Sequence, residues 1–198
     1  MLKVSRLRGP VTTLVAGLVA GLTCVAAQAE PPSAPNLSNN CAGCHGTNGY
    51  SAKPMPIIAG LSQPYFSRVL RQFKNGERPS TIMGRLAKGY TDAEIDDIAA
   101  FFSSQIWKSP EQELDPAKIE KGRKIHEEKC ATCHRDNGRF QNAETPRIAG
   151  QWSRYLEFVL QEYWRVGRKM PNRFMTIVVQ PLTSSDISAL SHFYASMK

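Results

Sequence analysis

Apolar residues recur at three- and four-residue steps from Gln63 to Lys74 and again from Trp152 to Arg165, the spacing that lines one face of a helix. Thr91-Asp92-Ala93-Glu94 reads as a capping box that opens a helix running to about Ser104. Thr183-Ser184-Ser185-Asp186 starts its counterpart. Asp115 followed by Pro116 supplies an N-cap and a favoured first position for a helix leading into Cys130. No stretch sustains the alternation of a strand. The pattern predicts an all-α chain, with the polar, proline-containing stretch 108–114 as a linker.

The predicted helices come in two sets, and so do the residues between them. Pro56-Ile57-Ile58-Ala59-Gly60 matches Pro146-Arg147-Ile148-Ala149-Gly150 at an offset of 90, and Tyr65, Val69, Leu70 and Phe73 match Tyr155, Val159, Leu160 and Tyr163 at the same offset. Gly76 then meets Gly167 at 91, and Thr91, Ile95, Phe101 and Ser104 meet Thr183, Ile187, Phe193 and Ser196 at 92. The chain is one helical unit written twice, over 30–107 and 115–198.

Composition narrows the class. With 41% hydrophobic and 21% charged residues, the 198-residue chain is neither wholly disordered, collagenous nor a polytopic membrane protein. Its five cysteines cannot all pair with one another, and its formal charge is +8. The first residues account for part of both numbers. Lys3, Arg6 and Arg8 precede an uncharged run from Val11 to Leu22, and Ala27-Gln28-Ala29 follows as a small-x-small site. This predicts a secretory leader over 1–29. The apolar run is short for a spanning anchor, and Gly21-Leu22-Thr23 before Cys24 is a poor lipobox. Without the leader, four cysteines remain, with 22 basic and 17 acidic residues, in an exported, oxidising compartment, the periplasm.

Those four cysteines stand in two identical settings, Cys41-Ala42-Gly43-Cys44-His45 and Cys130-Ala131-Thr132-Cys133-His134. Chance would give a C-x-x-C-H run on the order of 0.003 times in a chain of this composition. The spacing predicts covalent attachment of two haem c groups: two thiols reach the two vinyl groups and the adjacent His turns to the iron. A zinc ribbon places its pairs about 15–20 residues apart, whereas these are separated by 86. A thioredoxin-like site or a pair of disulfides leaves both histidines unexplained.

A small c-type carrier commonly adds Met opposite His. Met1 lies in the leader, Met197 at the end of the chain, and Met55 only ten residues after His45. Met83 remains for the first haem, and Met170 or Met175 for the second. Met83 and Met175 each precede a capping Thr by eight residues, so the repeat favours Met175, with Met170 as the alternative. Any of them could instead be core filler. His126 and His192 stand outside both motifs and are read as surface or packing residues. Pro56 and Pro146, 11 and 12 residues after the haem histidines, are candidates for carbonyls that accept the second imidazole N–H, or are simple turn prolines. The basic run Arg165, Arg168, Lys169, Arg173 is either a solvated face or a docking patch for an acidic partner. Nothing interleaves aromatic and basic residues as nucleic-acid binding would require.

The segments Asn39-Asn40-Cys41-Ala42-Gly43-Cys44-His45-Gly46-Thr47 and Ser80-Thr81-Ile82-Met83-Gly84-Arg85-Leu86-Ala87-Lys88-Gly89-Tyr90 resemble the dihaem cytochrome subunit of flavocytochrome c sulfide dehydrogenase. Ala149-Gly150-Gln151-Trp152, Tyr155-Leu156 and Phe193-Tyr194-Ala195-Ser196 resemble it too. The resemblance implies two tandem class I cytochrome c domains, with His45 and Met83 on one iron and His134 and Met175 on the other. It implies a heterodimer with an FAD-binding subunit that oxidises sulfide, FAD staying on that subunit, and onward transfer to a small soluble acceptor such as a cytochrome c. Arg168-Lys169-Met170-Pro171-Asn172-Arg173 departs from the family's order and leaves Met170 open. The expectation is electron transfer without catalytic residues or stable membrane insertion. A free periplasmic dihaem carrier is the competing reading, and an autonomous haem enzyme would need a vacant axial position.

Overall fold

Capping residues and apolar stripes set most helix boundaries in the computed structural model, which describes residues 33–198; the leader expected over 1–29 lies outside the described residues. The first set of helices is α1 (Ala34–His45), α2 (Gln63–Lys74), the short α3 (Met83–Leu86) running into a 3-10 turn at Ala87–Gly89, and α4 (Asp92–Ser103). The second is α5 (Pro116–Ile125), a π turn at His126–Cys130, a short turn α6 (Arg135–Gly138) that is left-handed at Asp136 and Asn137, α7 (Ser153–Trp164), α8 (Arg173–Val179) and α9 (Ser184–Ser196). Among the described residues there is no strand. The stripe over Gln63 to Lys74 becomes α2 with those bounds, and the one over Trp152 to Arg165 becomes α7, one residue shorter at each end. Residues 106–115 carry no helix.

Both capping boxes form. Thr91 Oγ1 accepts from the Glu94 N–H at 3.2 Å while the Glu94 carboxylate accepts from the Thr91 N–H at 2.7 Å. Thr183 and Asp186 repeat the exchange at 3.2 and 3.0 Å. Asp115 accepts from the Ala117 N–H at 2.9 Å and opens α5.

Each set closes over its own core. In the first, Leu37 of α1, Phe66 of α2 and Ile98, Ala99 and Phe102 of α4 are buried together, with the Phe66 and Phe102 rings stacked at 5.7 Å. In the second, Leu156 and Tyr163 of α7, Val179 of α8 and Ile187, Leu190 and Phe193 of α9 do the same. Fully buried rings such as Phe102 and Phe193 each contribute about 2–3 kcal/mol. α5 lies along α9, and Lys121 of α5 meets Asp186 of α9 at 2.7 Å.

That ion pair has a pH signature. Lys121 and the Thr183 cap hold the Asp186 carboxyl down to about 2. A carboxyl depressed on folding adds stability in full above its unfolded value, about 3.9, and loses it as pH falls through the folded one. Asp186→Asn is therefore expected to flatten the loss of stability between about pH 4 and pH 2, measured by denaturant unfolding across acid pH. An acid limb identical to that of the unaltered chain would refute the assignment.

The two sets belong to one packing unit and meet along a polar seam. Loop 141–152 of the second set lies against loop 51–62 of the first. The Gln141 amide donates to Gly60 O and accepts from the Ser62 N–H, both at 2.9 Å. Ser62 Oγ donates to Asn142 O at 2.6 Å, Trp152 Nε1 donates to Ser51 O at 3.3 Å, and Arg68 donates to Ala143 O at 2.9 Å. The buried Gln151 amide accepts from the Ile57 N–H at 2.9 Å and donates to Ile57 O at 3.0 Å. Beyond these loops, Tyr65 of the first set and Tyr155 and Tyr163 of the second act electrostatically on the Arg78 guanidinium, which lies over the Phe73 ring.

Candidate haem-binding sites

Cys41, Cys44 and His45 occupy the last turn of α1, so both thiols and the imidazole project from one short stretch of rigid backbone. Cys44 is exposed and Cys41 half-buried, and all four motif cysteines are unbridged. Gly46 and Gly49 then turn the chain back, with φ of 77° and 76° in the region that side chains avoid. Gly49 O accepts from the Ile58 and Ala59 N–H groups at 2.9 and 3.2 Å. This folds the Pro56-to-Gly60 segment against the histidine. His45 Nδ1 lies 2.8 Å from Pro56 O, and since a carbonyl only accepts, Nδ1 carries the proton and Nε2 keeps its lone pair. Burial pushes the His45 imidazole below its ordinary value, so it is neutral at pH 7, the form that ligates iron.

The second motif reaches the same layout by a different backbone. α5 widens into the π turn at His126–Cys130, and Cys133 and His134 follow in a tight turn. Gly138 O accepts from the Ile148 and Ala149 N–H groups at 2.9 and 3.0 Å, as Gly49 does in the first half. Burial lowers the His134 imidazole to about 4, again leaving it neutral. Pro146 instead fits the turn-proline reading: among the described residues, His134 Nδ1 is buried without a partner. The loop between Gly138 and Pro146 is one residue longer than that between Gly49 and Pro56, so its carbonyls do not fall in the same register.

His126 and His192, outside the motifs, both have structural work. His126 is buried, its Nδ1 2.9 Å from Tyr194 Oη and its ring 5.1 Å from that of Phe193. Leu37 and Phe102 stand at the corresponding places of the first core. His192 Nδ1 accepts from the Asp115 N–H at 3.0 Å at the start of α5.

Of the candidate axial methionines, Met83 opens α3 and Met175 lies in α8, both half-buried. Their turns are capped by side chains that the sequence pattern did not single out. Ser80 Oγ accepts from the Gly84 N–H at 2.6 Å, and Asn172 Oδ1 accepts from the Met175 N–H at 3.1 Å. Ser80 and Asn172 are 92 residues apart, the offset that also relates Met83 to Met175, buried Ala87 to buried Val179, and Thr91 to Thr183. Met170 instead packs within the second core, 9% exposed. The basic run is partly neutralised: the buried Glu162 carboxylate takes Arg165 at 2.9 Å and Arg168 on its other oxygen. Lys169 and Arg173 make no ion pair among the described residues.

Among the described residues, no three His, Cys, Asp or Glu side chains converge as ligands of a bare metal ion. Unbridged thiols spaced for two vinyl groups, with a buried neutral imidazole beside each pair, fit haem c. The cytochrome c family matches the chain twice, over residues 36–105 and 119–198. The chain belongs to the cytochrome c family. It carries two covalently bound haem c groups, one at Cys41 and Cys44 and one at Cys130 and Cys133, and is a dihaem electron carrier.

As a cytochrome c, it is 54% identical over 68 residues to the cytochrome subunit of sulfide dehydrogenase of Chlorobaculum tepidum, a match spanning 34% of this chain and 62% of that one. It is 30% identical over 172 residues to the thiosulfate dehydrogenase electron acceptor of Stutzerimonas stutzeri, spanning 79% and 78% of the two chains. The crystal structure of reduced cytochrome c4 from Pseudomonas stutzeri superposes with a TM-score of 0.74 at 28% identity, over 83% of this chain and 97% of that one. Among the described residues, no helix is long and apolar enough to cross a membrane.

Proposed function

We propose that this dihaem cytochrome is the electron-accepting subunit of a periplasmic sulfide dehydrogenase, paired with an FAD-binding subunit and passing electrons to a small soluble cytochrome. The observation that carries the reading is the 54% identity with the Chlorobaculum tepidum cytochrome subunit of sulfide dehydrogenase. The leader pattern over 1–29 supports export. On this reading His45 and Met83 ligate the first iron, His134 and Met175 the second, each haem within its own half of the chain, 30–107 or 115–198.

Bound haem iron supplies one-electron exchange between ferric and ferrous states. The chain's residues supply placement and insulation. Pro56 fixes the proton of His45 on Nδ1 and so leaves the Nε2 lone pair free to ligate iron. Ser80 and Asn172 hold the turns that present Met83 and Met175. Burial around Phe66, Phe102, Leu190 and Phe193 excludes water, which limits the solvent rearrangement accompanying each electron. Two such sites suit a donor that delivers electrons in pairs.

A second reading, a free dihaem carrier, is favoured by coverage: cytochrome c4 is matched over 97% of its length. Purification from the native host separates the two. The subunit reading expects co-elution with a polypeptide showing a flavin spectrum, and sulfide-dependent bleaching of the ferric haem bands. A cytochrome that elutes alone and stays oxidised with sulfide would leave only the free carrier.

A further inference from the structure

Seam and proximal ligand share one peptide group. Pro56 C=O and Ile57 N–H are the two ends of a single planar unit, which cannot bend between them without large cost. At one end, Pro56 O accepts from His45 Nδ1 at 2.8 Å. At the other, the Ile57 N–H donates to Gln151 Oε1 at 2.9 Å. Gln151 Nε2 closes a second bond to Ile57 O at 3.0 Å, and Oε1 also accepts from its neighbour Trp152 N–H at 3.1 Å. Gln151 is 4% exposed and Ile57 1%, so water does not compete for these bonds.

We propose that Gln151, from the second half of the chain, is a positioning residue for the first haem: through the Pro56–Ile57 peptide it sets the strength of the hydrogen bond to the proximal His45. The inference rests on reading His45 as an iron ligand. A firm Nδ1–H···O=C bond makes imidazole a stronger donor and favours ferric iron. Holding the peptide plane from behind keeps the carbonyl aimed at Nδ1, and aligned hydrogen bonds along the plane polarise one another. Among the described residues the second haem has no matching chain of bonds, because His134 Nδ1 lacks a partner there. The influence therefore runs one way, from the second half to the first haem.

The test uses the full chain with both haems, comparing Gln151→Met, Gln151→Asn and Gln141→Met. Met fills the volume without hydrogen bonds; Asn keeps an amide but falls one methylene short. Spectroelectrochemical titration gives both midpoint potentials, and proton NMR of the ferric protein assigns each to its haem. Gln151→Met is expected to raise the potential of the haem at Cys41 and Cys44 while the other stays in place, with Gln151→Asn between it and the unaltered chain. Gln141→Met, which loosens the same seam at Gly60 and Ser62, is expected to move neither. If Gln151→Met does not fold, the Asn variant carries the test alone. Equal shifts at both haems, an unmoved first haem in folded protein, or a Gln141→Met effect as large as that of Gln151→Met would each overturn the proposal. A first haem without a histidine–thioether ligand spectrum in the unaltered chain would instead overturn the ligand reading of His45.

Discussion

Met175→Ala is expected to abolish the thioether-to-iron charge-transfer band of one haem and lower its midpoint potential by on the order of 100 mV, out of the ~0.8 V that axial ligands span. Thioether ligation favours ferrous iron, so its loss favours ferric. At one electron, about 59 mV is a tenfold change in the redox equilibrium, large enough to redistribute electrons between the two haems. Met83→Ala is expected to do the same to the other haem. Met170→Ala separates the candidates: both bands stay, and the loss appears as stability. Removing a methionine that is 9% exposed in a packed core costs about 2–5 kcal/mol. If Met170→Ala abolishes the second band while Met175→Ala leaves it, the ligand assignment is reversed.

The second large effect is steric. Gly122 lies inside α5 where it crosses α9, and a Cβ there would sit 2.3 Å from Ala189 O and 2.7 Å from both Ala189 C and Phe193 Cβ. Two of the three atoms are backbone, so no side-chain rotation relieves the clash; the helices must part. Glycine is here for closeness of approach. Gly122→Ala is expected to lose about 2–3 kcal/mol, toward the upper end of overpacking costs. That lowers the melting temperature by roughly 5–10 °C if the halves unfold together. Thermal unfolding followed at the haem bands measures it. A melting temperature equal to that of the unaltered chain would show that α5 and α9 can separate freely, contrary to their packing.

Local chemistry made much of this architecture readable. Gln63 to Lys74 carries its own apolar stripe, and the Thr91 and Thr183 boxes satisfy helix N–H groups with residues three positions away. These elements therefore appear where the pattern puts them. Each C-x-x-C-H run is likewise a local device. α1 was less visible because Ala34 to Asn40 has no apolar stripe; the helix is held by the packing of Leu37 and ends at Gly46. The π turn before Cys130 has no sequence mark either. Ser80 and Asn172 become meaningful only once Met83 and Met175 are seen on the turns they cap. The seam was invisible for a different reason. Gln151 and Ile57 are 94 positions apart, and a glutamine amide looks the same in a sequence whether it faces water or a partner. At Pro146 one extra loop residue shifts the register and leaves the turn-proline reading, and the charge of Arg165 and Arg168 meets the buried Glu162, a partner that the basic run does not reveal.

The duplicated halves are not interchangeable parts. The position that corresponds to Gln151 in the first half is Leu61, and the position that corresponds to Gln141 is Ser51 or Ala52, depending on where the loop insertion is placed. Both amides that hold the seam come from the second half. A chain built from two first halves would set a leucine against the Ile57 peptide and leave a buried N–H and C=O without partners, at about 1–3 kcal/mol each. Two second halves would face each other with amides and no Pro56–Ile57 loop to receive them. Despite its repeated sequence, the molecule is a matched pair with a fixed order, a lock in one copy and its keyhole in the other.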